Sequence, residues 1–335
     1  MKKIVLAIIF LIGINTNLNA ITIDENKKAC DSGNPIGCYN LGVLYNHGKD
    51  VKQDYIKAIE LYTKACDGGI AVACSDLGAM YQKGQGTKRD CSLAIALYTK
   101  SCNEGATIGC FNLGFSYKNG QCTNKDSAKA IQFYKIACDN GIAYGCNDLG
   151  AMYAKGEGIE QDTVNAVKYY TKACDAEDAR GCSNLGAMYA DGNGVTQDYD
   201  RAVKLYKASC TDGNALGCSN LGLMYARGQG IGRDLVKSAE FFHQACSNGN
   251  ALGCFNLGFS YRKGYGLAQN DSKAIEFYNK ACDGGNARGC YNLGFMLENG
   301  HGTKQNYLKA KEYYRKACDG GIANGCKNYR ILNKK

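Results

Sequence analysis

The chain has 335 residues, Lys+Arg 40 against Asp+Glu 31 for a formal net charge of +9, and 20 cysteines beside 43 glycines, one proline and no tryptophan. Hydrophobic residues at 45% and charged residues at 21% exclude a disordered chain, and glycine without proline or a triplet period excludes collagen. So many cysteines leave two readings, oxidation outside the cytosol or extensive metal binding.

Lys2 and Lys3 precede an apolar run from Ile4 to Ile14 and a polar stretch ending Leu18-Asn19-Ala20. A basic start, an apolar core and a small residue before the cut make residues 1–20 a secretory signal peptide. The run is shorter than the ~20 apolar residues a bilayer span needs, and no membrane span is expected. The first cysteine, Cys30, lies past the cut, so no lipid-modified N-terminal cysteine is expected. The expected location is secreted or periplasmic. Basic residues are spread along the chain, with only the tail (Lys327, Arg330, Lys334, Lys335) locally basic, which is no nucleic-acid footprint.

From Cys30 the cysteines keep time. Cys30, Cys66, Cys102, Cys138, Cys174, Cys210, Cys246, Cys282 and Cys318 follow at steps of 36, and a second series from Cys38 to Cys326 runs eight residues behind. Such a period marks a repeat array. In one repeat, Cys74, Leu77, Gly78, Met80 and Tyr81 recur at helical spacing up to Gly84 and Gly86. A second helix starts behind Asp90, whose equivalents are Asp54, Asp126, Asp162, Asp198, Asp234, Asn270 and Asn306, side chains suited to capping free amides. Ala94, Ile95, Leu97, Tyr98 and Cys102 form its buried stripe, and a glycine turn such as Asp67-Gly68-Gly69 leads to the next repeat. Gly78 and its counterparts let the two helices approach closely. The expected fold is all-α, an α/α superhelical solenoid of nine disulfide-stapled helical-hairpin repeats forming a single domain over 21–335.

The pattern Cys74-x2-Leu77-Gly78-x2-Tyr81, then Ala94-x3-Tyr98, resembles the tetratricopeptide signature with cysteine in place of its tryptophan. Two extra residues near the glycine loop make it look like the SEL-like repeat (SLR) family. The cysteine pair in every repeat of an exported chain is similar to the Helicobacter cysteine-rich proteins. The resemblance runs from Cys30 to Cys326.

Regular pairing at spacing 8 or at spacing 28 is sterically open in a helical hairpin, and counting decides. Spacing 8 pairs every repeat cysteine, whereas spacing 28 orphans Cys30 and Cys326. The expected bridges are Cys30–Cys38, Cys66–Cys74, Cys102–Cys110, Cys138–Cys146, Cys174–Cys182, Cys210–Cys218, Cys246–Cys254, Cys282–Cys290 and Cys318–Cys326. The two remaining cysteines, Cys91 and Cys122, sit in neighbouring inter-helix loops, and a tenth bridge joins them. Metal is not expected, because His47, His243 and His301 complete no repeated four-ligand set; without C-x-x-C, thioredoxin-like chemistry is excluded too. No cofactor is expected. At about 322–333 a last helix replaces Leu-Gly by Tyr329-Arg330 and reads as a cap.

The concave wall of a repeat array is its usual binding surface, lined in tetratricopeptide phase by the first helix of each repeat. Two positions four apart on that face carry the aromatic pairs Phe111/Phe115, Phe255/Phe259 and Tyr291/Phe295, where other repeats have small residues such as Ser75/Ala79. These six are the candidate ligand-binding residues. Beside Phe115 and Phe259 the usual methionine becomes Ser116 or Ser260, which reads as volume-compensated packing; Phe295-Met296 lacks the exchange and is the better binding candidate. A polar ladder (Asn40, Asp76, Asn112, Asp148, Asn184, Asn220, Asn256, Asn292, Asn328) reads as hydrogen bonding between stacked helices.

No catalytic residue is assigned. The glycine loops follow no strand, H-E-x-x-H is absent, and the single S-x-x-K, Ser260 to Lys263, lacks the S-D-N and K-T-G that accompany it in serine β-lactamases. The expected function is a monomeric scaffold binding a protein, peptide or peptidoglycan-like ligand. The resemblance to the cysteine-rich proteins, described as binding penicillins, implies the alternative of a weak β-lactamase with β-lactams as partners.

Overall fold

The computed structural model describes residues 22–334, so the expected signal peptide at 1–20 lies outside them. The described residues form eighteen α-helices and no strand. They fall into two compact units dividing between Lys125 and Asp126. The first holds α1 (Ile23–Asp31), α2 (Pro35–His47), α3 (Tyr55–Asp67), α4 (Ala71–Lys83), α5 (Cys91–Asn103) and α6 (Thr107–Asn119). The second holds α7 (Ser127–Asp139), α8 (Ala143–Lys155), α9 (Thr163–Asp175), α10 (Ala179–Asp191), α11 (Tyr199–Thr211), α12 (Ala215–Arg227), α13 (Leu235–Ser247), α14 (Ala251–Lys263), α15 (Asp271–Asp283), α16 (Ala287–Asn299), α17 (Tyr307–Asp319) and α18 (Ala323–Leu332).

The boundaries follow local chemistry. Each even helix from α2 to α16 ends on a glycine with φ of 65–70°, a left-handed conformation that closes the helix without a Cβ penalty. Each odd helix from α3 starts behind the predicted Asp or Asn; Asp90, for one, accepts the Leu93 N–H at 2.9 Å. Within the units an even helix packs on the odd helix that follows it, as α4 on α5 and α14 on α15. The closeness of that contact depends on glycine: a Cβ at Gly78 would stand 2.9 Å from the Tyr98 ring, and Tyr98 is only 1% exposed. The same glycine–tyrosine contact recurs at Gly150 with Tyr170 and at Gly294 with Tyr314.

Disulfides then tie each odd helix to the next even one. The bonds are Cys30–Cys38, Cys66–Cys74, Cys102–Cys110, Cys138–Cys146, Cys174–Cys182, Cys210–Cys218, Cys246–Cys254, Cys282–Cys290 and Cys318–Cys326, with Cα atoms 4.5–4.8 Å apart. Two complete hairpins, α2–α3 and α4–α5, thus lie in the first unit and five, from α8–α9 to α16–α17, in the second, with α1 and α18 as flanking single helices. In α18, Leu332 is buried and Arg330 exposed.

The tenth bridge, Cys91–Cys122, has a different origin. The second loop glycine of a repeat lies against the first residue of an odd helix 31 positions earlier: a Cβ at Gly86 would come 2.6 Å from Tyr55, and one at Gly158 would collide with Ser127. Cys122 occupies that loop position with φ 61°, Cys91 is its partner at the same separation of 31, and their Cα atoms are 4.7 Å apart. A close approach that excludes a side chain elsewhere is here replaced by a covalent link.

Candidate functional site

Within each unit the face in question is built by the even helices, whose inward residues the staples and the glycine–tyrosine contacts hold in place. The first members of the aromatic pairs are packing residues. Phe255 lies 5.9 Å from the Tyr278 ring and Tyr291 lies 5.6 Å from the Tyr314 ring, each against the second helix of its own hairpin, and Tyr39 meets Tyr62 in the same way at 5.9 Å. Phe111 is likewise half-buried.

The second members differ from expectation. Phe115 is 41% and Phe259 37% exposed, while the adjacent Ser116 and Ser260 are buried. Consecutive helical residues point about 100° apart. The phenylalanine therefore cannot fill the volume its serine neighbour leaves, and the compensated-packing reading is corrected. The ranking of Phe295 changes too. Its ring is half-buried, with the Arg262 guanidinium 4.8 Å from its centroid and the His301 ring stacked at 5.9 Å. Phe115 and Phe259 are the open rings, and Phe295 is a covered one.

Sequence reasoning passed over the loop. Tyr265 lies edge-to-face with Phe259 at 5.8 Å and is 45% exposed; His301, at the same place one repeat later, covers Phe295. At that place other loops carry residues such as Gln85, Glu157 and Asn193. The signal was readable as an aromatic six residues after the second-position ring.

The polar ladder joins neighbouring first helices. Asn112 donates through Nδ2 to Ser75 Oγ at 2.8 Å, Asn184 to Asn147 Oδ1 at 2.8 Å, and the Tyr39 hydroxyl to Asp76 Oδ2 at 3.2 Å. Burial pushes the Asp76 carboxyl up to about 6, with the Tyr39 hydrogen bond and the Lys83 charge pulling the other way. Asp76 in turn helps to push the buried Tyr39 hydroxyl well above its usual range, after burial itself. The ladder is a stacking device. At Asn256 it is incomplete, since Nδ2 is buried there without a protein partner.

Ser260 is buried and donates its hydroxyl to the Asn256 carbonyl at 3.0 Å, while Lys263 is exposed, so the S-x-x-K pair forms no activated nucleophile. Every cysteine is in a disulfide, which leaves no thiolate to act as a ligand. Ten disulfides suit an oxidising setting, such as the periplasm or the extracellular space, rather than the reducing cytosol. Among the described residues no helix is long and apolar enough to cross a membrane.

Comparison with known proteins follows the same lines. A protective antigen of uropathogenic Escherichia coli displaying an SLR fold is 29% identical, with a TM-score of 0.73 over 93% of this chain and 67% of the antigen. A Sel1 repeat protein of Oxalobacter formigenes, 24% identical, shares the fold with a TM-score of 0.67 over 92% of this chain and 90% of its own. Helicobacter pylori cysteine rich protein B is 31% identical over 41% of this chain and 99% of its own, with a TM-score of 0.34. Comparison with curated proteins gives no match. The Sel1 repeat matches at residues 35–70, 71–105, 107–142, 143–178, 179–214, 215–250, 251–286 and 287–322, and brings a scaffold fold typical of protein–protein interaction. The chain belongs to the Sel1-repeat family.

Proposed function

We propose that the chain is an exported scaffold that captures a partner protein, an extended peptide or a cell-wall-derived ligand on the face that the first helices build within each unit. The observation that carries this reading is the exposure of Phe115 and Phe259 on helices whose neighbours are otherwise locked by staples and glycine contacts. Large rings left over a third open on helices fixed within their own unit are what a docking surface presents, because aromatic anchors lose little entropy on binding. Disulfides at each junction preorganise that face, which lowers the ordering cost of association.

Selection of displayed peptides and of muropeptide fragments on the purified, oxidised protein tests it. Enriched ligands are expected to lose about tenfold in affinity with Phe115→Ala or Phe259→Ala at an unchanged melting temperature. Absence of any enriched ligand, or ligands indifferent to both variants, would overturn it.

A further inference from the structure

Resting on the scaffold reading, we infer that the end of α14 and the loop after it form an anchor for an acidic peptide segment, one in which carboxylates flank an aromatic or large aliphatic side chain. Three observations meet there. Phe259 and Tyr265 make an open edge-to-face pair, 37% and 45% exposed, at the head of the patch. Arg262 and Lys263 both lie in the last turn of α14, with Arg227 at the end of α12 as a third cation. None of the three has an ion-pair partner among the described residues, a state they share with many surface lysines but not with Lys280, paired with Glu276 at 2.7 Å, or Lys172, paired with Asp139 at 3.0 Å.

A cation in the last turn favours the helix dipole, and that alone accounts for one such residue per helix. It does not account for two on α14, nor for Arg262 lying over Phe295 of the next first helix at 4.8 Å. That contact holds the guanidinium on the Phe295 ring, one turn from Phe259 along α14. A carboxylate arriving at Lys263 and Arg227 meets charges that have no competing partner, and the neighbouring side chain of the same segment covers Phe259 and Tyr265. Ion pairs bordering an aromatic anchor set orientation and encounter rate, while the anchor supplies affinity. A neutral glycan would leave the cations unused, and a single strand of nucleic acid, which would draw on the same charges, is told apart by the test below.

The test uses the full oxidised protein and three fluorescein-labelled peptides read by anisotropy: glutamate alternating with phenylalanine, its glutamine counterpart and its lysine counterpart. A single-stranded oligonucleotide serves as a fourth probe. The glutamate peptide is expected to bind at least about fivefold more tightly than the glutamine one and to weaken with added salt. Arg227→Glu with Lys263→Glu is expected to weaken it about tenfold, and Phe259→Ala by a similar factor, with melting temperatures within about 2 °C of wild type because all three side chains are exposed. Equal binding of glutamate and glutamine peptides, tighter binding of the oligonucleotide, or indifference to the charge reversal would overturn the inference and leave the scaffold reading standing. The scaffold reading falls separately, if peptide and muropeptide selection returns no ligand at all.

Discussion

Asp76→Asn should make the protein more stable at neutral pH and leave it unchanged in acid. Asp76 occupies a rung where most other repeats have asparagine, is half-buried on α4, and accepts the Tyr39 O–H at 3.2 Å. Burial raises its carboxyl from 3.8 to about 6. Because this group keeps its proton to a higher pH in the folded chain than in the unfolded one, the folded state binds more protons between about pH 4 and pH 6. Stability therefore falls as pH rises through that window and is level above it. A gap of about two pH units corresponds to about 3 kcal/mol at most, and relaxation around a half-buried site brings the expected gain of the amide to about 1–3 kcal/mol at pH 7.5. The amide oxygen can still accept the Tyr39 hydroxyl, and the volume is unchanged. Melting followed by circular dichroism, with disulfides intact, should show the variant a few degrees higher at pH 7.5 and level with wild type at about pH 4. An equal gain at both pH values, or none at pH 7.5, would refute burial as the source of the shift.

Gly78→Ala sets a helix-propensity gain of about 1 kcal/mol against overpacking of about 1–3 kcal/mol, because Tyr98 has no room to move; a lower urea midpoint is expected, and a higher one would show that the ring yields. Glu177 holds φ 60° where the other turns have glycine, so Glu177→Gly should raise stability by about 1 kcal/mol in the same urea titration. Replacing the extra bridge by Cys91→Ser with Cys122→Gly restores the common loop pattern but removes a closure of 31 residues, for a loss of about 3–4 kcal/mol less about 1 kcal/mol of relieved backbone strain. A melting temperature unchanged by the double substitution would show that the loop–helix contact suffices without the bond.

Most of the architecture was legible because a repeat array reuses one solution. The 36-residue cysteine period set the unit, Asp90 and its equivalents marked the start of every second helix, and Gly78 marked where helices must touch. What the spacing could not show is which rings remain open. Phe115 and Phe255 both sit in an aromatic position on a first helix, yet one projects outward and the other packs on the second helix of its hairpin, and only the helix orientation about its axis separates them. Ser116 and Ser260 misled for the same reason: a neighbour in sequence is on a different face in space.

The candidate site shows where regularity fails to carry information about function. A residue present in every repeat is accounted for by stacking, as the polar ladder is, because each copy meets the same neighbours. Information about a partner has to reside in the departures. Some departures resolve into packing: Cys122 fits because Cys91 stands opposite it. The group around α14 does not resolve in that way. Tyr265 leans on Phe259 while remaining the more exposed of the two, and Lys263 and Arg227 have no ion-pair partner among the described residues. Aromatic area and charge left open together stabilise the chain only in part, which is why the end of α14 and its loop, more than the half-buried Phe255 or Tyr291, is where a ligand has something to gain.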